Sequence, residues 1–367
     1  MEDNYNNKDN TFQTTIPTKI IRGMEVLYCG KKESIDFPLS TYETPLFASV
    51  SRGVKITKLC TISVAVLSSN MTRSIVFECN NVFEIQKLIE TLKHEQNINH
   101  FINFQHVINK TSKHCRIEDI QFFVVGRLFY VRFSFETSEA SGHNMTTIAS
   151  NELAKYIVEI AKLNKIYIKY LSNSANLCVD KKVSAINSIC GRGKKVVAEI
   201  TISKKICEDI LHTTPEKIAE LNIDKNFIGS ILSGSTCSAN AHYANMLAGI
   251  FLPLGQDIAN IVEGSQGITF CKVNADGSLY FSVNLPNVIC GVIGNGKDID
   301  FVKENLKLIG CIDVDGNPTN NASERMASII ACAVLCGELS LMSALTNEDE
   351  LVKSHLLLER NYKNINK

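Results

Sequence analysis

The 367-residue chain has no tryptophan, only 7 prolines and no excess of either charge, with 38 Lys+Arg against 38 Asp+Glu. The two signs are interspersed, so no basic face is set out for a polyanion and nucleic acid is excluded as an expected partner. No uninterrupted apolar run approaches the roughly 18 residues of a membrane span. The first twelve residues, MEDNYNNKDNTF, have neither the basic start nor the apolar stretch of a signal peptide. The expectation is a cytoplasmic protein with no membrane partner. The thirteen cysteines form no C-x-x-C pair and the eight histidines no H-E-x-x-H, so no metal site is expected. Cys60, Cys271, Cys332 and Cys336 lie in apolar contexts, where a reduced thiol behaves as a small hydrophobe.

What is present is a globular composition, 45% hydrophobic and 21% charged. At about 150 residues per domain the length suggests roughly two domains. Residues 1–12 read as a disordered tail and 13–56 as irregular chain with short strands. Two β-branched stretches, 57–68 and 74–79, suggest strands. Val82, Ile85, Leu88, Ile89 and Leu92 recur at helical spacing over 81–96. A hairpin follows around Gly126-Arg127, then a helix over 145–163 and a strand over 166–170. The order strand, helix, strand, strand, helix, strand is that of a split βαβ unit. The expected fold is therefore α+β: a large, mainly helical domain over 13–73 and 173–345, with a small ferredoxin-like domain over 74–172 inserted in it. Further on, Thr214-Pro215-Glu216 opens a helix to about Leu221, and the Ala/Ser/Gly-dense run 235–254 reads as a helix. A strand pair over 267–283 turns at Ala275-Asp276-Gly277, and a helix is expected over 298–309. Capping boxes at Asn321–Glu324 and Thr346–Asp349 open two last helices, the second within a closing segment 346–367.

Several residues could carry chemistry. Lys181, Lys182, Arg192 and Lys194 put four cations within fifteen residues that begin at Asp180. Composition alone makes this a solvated basic loop; a Lys beside a carboxylate in a partly dry site could instead stabilise an oxyanion. Glu43, in TYETPLFAS, is a cap or surface residue, or a carboxyl whose apolar neighbours raise its pKa and fit it for general acid work. Asp257 reads as a helix end. His355 is a structural histidine or a proton donor near neutral pH. The glycines of Gly291-Val-Ile-Gly294-Asn-Gly296 approximate a dinucleotide fingerprint with nonstandard spacing, against a plain glycine turn.

In combination, YETPLFASVSRG, EASGHNM (139–145), DKKVSAINSICGRGKKVV (180–197), NAHYANMLAGIFLPLGQD (240–257), GVIGNG (291–296) and GELSLMSAL with LVKSH (337–355) resemble the catalytic portion of 3-hydroxy-3-methylglutaryl-coenzyme A reductases, over about 38–360. The resemblance implies reduction of that thioester to mevalonate and coenzyme A with NADPH, as in the biosynthetic class, by a homodimer or tetramer. It implies Glu43, Lys181, Asp257 and His355 as catalytic residues. Arg73, Ser174, Asp180, Lys182 and Lys225 would hold the acyl group. Ser112, Arg116, Glu139, Gly142, Asn144, Gly291, Gly294, Gly296 and Arg360 would hold the cofactor, against the ferredoxin-like domain rather than a doubly wound sheet. Two departures stand out. The family's E-N-V-I-G segment has no counterpart, which leaves a non-catalytic acyl-coenzyme A binder or an acyl-coenzyme A hydrolase or transferase as alternatives. Its D-A-M-G-M-N motif becomes Glu139-Ala-Ser-Gly-His143-Asn144.

Overall fold

Residues 13–56, expected to be largely irregular, fold into regular structure. In the computed structural model, which describes residues 14–98, 101–235 and 237–360, β1 (Thr18–Tyr28) and β2 (Lys31–Ser40) form an antiparallel hairpin. Its turn residues Cys29 and Gly30 have φ of 49° and 75°, the left-handed backbone that matches the twist of the flanking strands. A register shift between Ile21 and Met24 breaks the alternation, so periodicity alone hides the strand. Pro45 then opens the helix Thr44–Thr57, with Glu43 at its N-cap. The expected tail at 1–12 and residues 361–367 lie outside the described residues, as does the side chain of Arg360.

The two stretches expected as separate strands are one, β3 (Ile62–Cys79). Its Ser- and Asn-rich middle interrupts the apolar pattern, but the backbone pairing continues. The first half of β3 pairs with β1 and with β7 (Gly193–Ile202); the second half pairs with β5 (Leu128–Glu136) and β6 (Ile168–Ser172). With β4 (Arg116–Val125) on β5, this second sheet runs β4-β5-β3-β6, antiparallel throughout. Helices Val82–Ile98, Ile102–Asn109 and His143–Leu163 accompany it, and Phe77, Phe129, Phe133, Leu88, Leu153 and Ile157 lie in a core of their own.

The large part is organised around the sheet β2-β1-β3-β7-β10-β9-β8, completed by β8 (Ser238–Ala239), β9 (Gly267–Val273) and β10 (Leu279–Val288). Helices surround it, so the expected helical domain has a mixed sheet at its centre. The helices Thr44–Thr57 and Tyr243–Phe251 and the sheet strands β3, β7 and β10 pack on the helix Ala322–Leu345, which is long and apolar enough to cross a membrane by composition, yet has 89% of its apolar window buried inside the molecule. A helix apolar on every side belongs in a core. It meets the helix Thr44–Thr57 at Gly53, where a Cβ would lie 2.1 Å from the Cys336 carbonyl oxygen. All thirteen cysteines are free thiols.

Three local expectations fail. The run 235–254 is not one helix: it begins as β8, and only Tyr243–Phe251 is helical. Asn240 donates from Nδ2 to the Ser265 and Gly267 carbonyls, and the Ala241 and His242 amides go to Glu338, which leaves the preceding backbone extended. Neither capping box forms. Asn321 makes no side-chain cap, and the Ser323 amide is taken by Glu139 Oε2 at 2.6 Å. Thr346 ends the long helix; the terminal helix Glu350–His355 starts after Asp349. The residues 291–296 follow an antiparallel strand and precede the helix Asp300–Leu308, so no parallel βαβ unit surrounds them.

Candidate active site

The four proposed catalytic side chains fall into two pairs within one chain. Lys181 and Asp257 are in contact, Nζ to Oδ2 at 2.7 Å, with both side chains about two-fifths exposed. Asp257 is also the N-cap of the short turn Ile258–Asn260, accepting from the Ala259 amide. The Asp257 hydrogen bond holds the Lys181 amine above its ordinary value. Partial burial pulls the Asp257 carboxyl up, but Lys181 and the Ala259 amide outweigh it and the net shift is down. The result is an ammonium-carboxylate pair through neutral pH, presented to solvent.

Glu43 sits elsewhere. Although it is the N-cap of its helix, its side chain makes no cap; Oε2 accepts from Asn245 Nδ2 at 2.7 Å. No hydrogen bond or ion pair joins Glu43 to Asp257 or Lys181 among the described residues. Glu43 shares a cavity of about 230 Å³ with Arg52, His242, Asn245, Glu350 and His355. The terminal helix that carries His355 is tied down by Arg52, which donates to Glu350 and, from Nη2, to the Ser340 carbonyl at 2.6 Å.

The cluster of four cations is only half solvated: Lys181 and Lys182 are exposed, the two that follow are not. Arg192 and Lys194 are 1% and 2% exposed. Arg192 Nη2 pairs with Asp180 Oδ1 at 2.9 Å, and Nη1 with Glu263 Oε1 at 2.9 Å. Lys194 donates to the Cys290 carbonyl. Burial pushes the Glu263 carboxyl up, against the lowering pull of the Lys181 amide and Arg192. Composition does not separate buried from solvated cations, and the carboxylate that decides the matter lies 71 residues away from Arg192.

Of the acyl-binding candidates, Arg73 lies beside Ser174 and Lys182 beside Asp180, on one segment anchored to β3. Arg73 Nε donates to the Asn173 carbonyl next to Ser174; Ser74 Oγ accepts from the Leu177 and Cys178 amides; and Lys182 Nζ reaches the Asp180 carbonyl. Lys225 lies in the π-type helical segment Asn222–Gly229, which packs on β8 and β9.

Gly142, Asn144, Gly294 and Gly296 line a cleft of about 800 Å³ that also receives Asp257 and Lys297. Gly142 (φ 91°) starts the helix His143–Leu163 with no side-chain cap on its first amides. Gly294 has φ 119°, and a Cβ there would meet nothing within 4 Å. Gly291 plays a different part: a Cβ would lie 2.3 Å from the Ser141 nitrogen, so this glycine packs backbone on backbone beneath the cleft. Glu139, through its carboxylate on Ser323 and its carbonyl on Val292, holds the same junction together. Ser112 and Arg116 stand apart. Ser112 Oγ accepts from the His114 amide, and Arg116 pairs with Glu118 and lines a separate hollow.

Sequence reading passed over two side chains in the cleft. Lys297 donates to the Gly255 carbonyl, and burial pushes its amine down to about 8. His143 has its Nδ1 3.3 Å from Ser141 Oγ and its Nε2 3.8 Å from Asp180 Oδ1; burial, then the charge of Arg192, lowers its pKa. The replacement of a methionine by His143 was the only signal available for it.

Residues 13–360 match the family model of hydroxymethylglutaryl-coenzyme A reductase. Among curated relatives, the 3-hydroxy-3-methylglutaryl-coenzyme A reductase of Pyrococcus horikoshii is 40% identical over 88% of this chain and 76% of its own length. That of Methanocaldococcus jannaschii is 41% identical over 88% and 77%. Among solved structures, the class II enzyme from Streptococcus pneumoniae, bound to NADPH in open conformations, superposes with a TM-score of 0.69 at 16% identity, covering 93% of this chain and 88% of that one.

Proposed function

The chain belongs to the hydroxymethylglutaryl-coenzyme A reductase family, and we propose that it is a working enzyme of that family, reducing 3-hydroxy-3-methylglutaryl-coenzyme A to mevalonate and coenzyme A with NADPH. The observation that carries this reading is the Lys181–Asp257 contact at 2.7 Å beside a glycine-lined cleft. The cleft fits a dinucleotide: an uncapped helix start and the open side of Gly294 leave backbone for a phosphate to approach. Gly142, Asn144, Gly294 and Gly296 would hold it there, with Lys297 as a nearby cation. The segment 74–172 is then the ferredoxin-like cofactor domain; Lys110, Lys113 and Arg116 within it and Arg360 beyond it are the candidates for the extra phosphate. NADPH, when bound, supplies the hydride for each of the two reductions.

The chain's own residues handle charge and protons. Lys181 Nζ stabilises the oxyanion that develops on the acyl oxygen, kept cationic by Asp257. Arg73, Ser174, Asp180 and Lys182 hold the acyl end, the cations pairing with its free carboxylate. His355 protonates the departing coenzyme A sulfur, and Glu43 delivers the proton to the alkoxide of mevaldehyde reduction. Because Glu43 and His355 share one cavity while Lys181 pairs with Asp257 at a separate cleft, this reading puts the complete site between two copies of the chain. The Lys-bearing turn of one faces the Glu and His of the other. The protein works in the cytoplasm as a dimer or a higher assembly of dimers.

Mixing the purified protein with NADPH and the acyl thioester, while following absorbance and free thiol, tests the reading. Nicotinamide oxidation that requires the thioester supports it. Thiol release without NADPH would make the protein a hydrolase, and neither signal would make it a binder.

A further inference from the structure

The turn that delivers Lys181 is strained. Asn176, Val179 and Lys181 all have positive φ, at 57°, 49° and 55°. For β-branched Val179 this is a genuine outlier, and conformations of this kind persist only where their surroundings over-determine them. The surroundings here are buried side chains reaching in from other elements. Ser74 takes the Leu177 and Cys178 amides, and Asn187 Nδ2 donates to the Cys178 and Val179 carbonyls. Gln266 Oε1 takes the Ser184 amide. At Lys181 the holding group is Glu263, which has 0% exposure. Its Oε1 accepts from the Lys181 amide at 3.0 Å, from Arg192 Nη1 at 2.9 Å and from Asn260 Nδ2 at 2.9 Å. Arg192 then spans from Glu263 to Asp180. One buried ion pair thus grips the Asp180-Lys181 dipeptide twice, by the Lys181 backbone and by the Asp180 side chain.

We propose that Glu263 and Arg192 are positioning residues for the reduction: they clamp the Asp180-Lys181 turn so that the Lys181 amine is set against Asp257 before substrate arrives. This rests on the reductase reading above. Neither residue reaches the cleft or a reacting atom; each acts through Lys181. A buried pair of this kind is a poor source of net stability, because desolvation offsets most of its attraction. It is a good source of fixed geometry, and displacement of a catalytic group by about 1 Å can cost on the order of 100-fold in rate.

Two measurements on the full-length protein decide it. In hydrogen exchange of the peptide over 176–183, Glu263→Gln should speed exchange at the Lys181 amide on the order of 10-fold, whatever the reaction turns out to be. In steady-state kinetics, Glu263→Gln should lower kcat on the order of 10-fold or more, with KM for NADPH within about two-fold. As a control for stability alone, Arg325→Met removes the remote two-pronged pair with Glu33, and should lower Tm while leaving kcat in place. If Glu263→Gln does not fold, Arg192→Lys decides instead, since it keeps the charge and loses the fork that bridges Glu263 to Asp180. Unchanged exchange at Lys181, or kcat within two-fold of wild type in a folded variant, overturns the clamp. Wild-type protein without NADPH-dependent reduction would instead overturn the reductase reading, and the exchange measurement would still judge the clamp.

Discussion

The two half-sites are built in opposite ways. The half with Lys181 and Asp257 stands on buried charge, with Glu263 and Arg192 at 0% and 1% exposure and a turn held at the Leu177, Cys178, Lys181 and Ser184 amides. The half with Glu43 and His355 includes a short terminal helix to which Arg52 is tied through Glu350. The difference fits the work proposed for each. Oxyanion stabilisation requires a charge already in place, since reorganisation would cost most of its benefit. Proton delivery to a departing thiolate requires a group that can approach after the substrate is seated.

The largest effect should fall on the rigid half. Lys181→Ala should lose turnover on the order of 100-fold or more while the acyl thioester still binds, as for removal of an oxyanion donor; near wild-type kcat would break the assignment. Next, His355→Gln should slow reduction of the acyl thioester on the order of 10- to 100-fold and spare mevaldehyde, which has no thiolate to expel. Glu43→Gln should impair both substrates. Equal losses on the two substrates for His355→Gln would show that the histidine is not the acid for the sulfur.

If the halves meet across two copies, mixing Lys181→Ala with His355→Gln subunits should restore about a quarter of wild-type turnover at equal ratio, one intact site among the random pairings. No recovery after subunit exchange would place the whole site in one chain. Smaller again is the effect at the terminal helix. Arg52→Ala removes the Glu350 tie together with the bonds to Ser340; it should lower kcat several-fold and also lower Tm, since a hydrogen bond from a charged group contributes about 1.5–3 kcal/mol.

The smallest prediction concerns pH at the cleft. Burial lowers the Lys297 amine to about 8, so it is cationic below that value and neutral above it. NADPH affinity, measured by fluorescence titration, should weaken by a few-fold as pH rises through about 8, and Lys297→Met should flatten that dependence. An unchanged profile would remove Lys297 from the cofactor's surroundings.

Much of the order of elements could be read along the chain. The helix Val82–Ile98 and the β4-β5 hairpin follow from periodicity and a Gly turn. The hairpin β1-β2 escaped because its bulge spoils the alternation, and β3 was cut in two because its middle is polar. The site residues were legible through motif resemblance, not through chemistry: nothing local distinguishes Glu43 from an ordinary cap, or Asp257 from a helix end. Glu263 carried no signal at all, because its role depends on a turn some 80 residues away in the chain.

By itself, then, the sequence determined the interspersed neutral surface, the local elements with unbroken period and the identities of the reactive side chains, since each of these is a property of neighbouring residues. The tertiary structure alone decided that Arg192 and Lys194 are buried, that Glu139 rather than a capping box begins the long helix, and that the four catalytic candidates divide into two pairs. Those outcomes depend on which distant group occupies the space beside each charge, and a buried charge takes its meaning from the partner that compensates it.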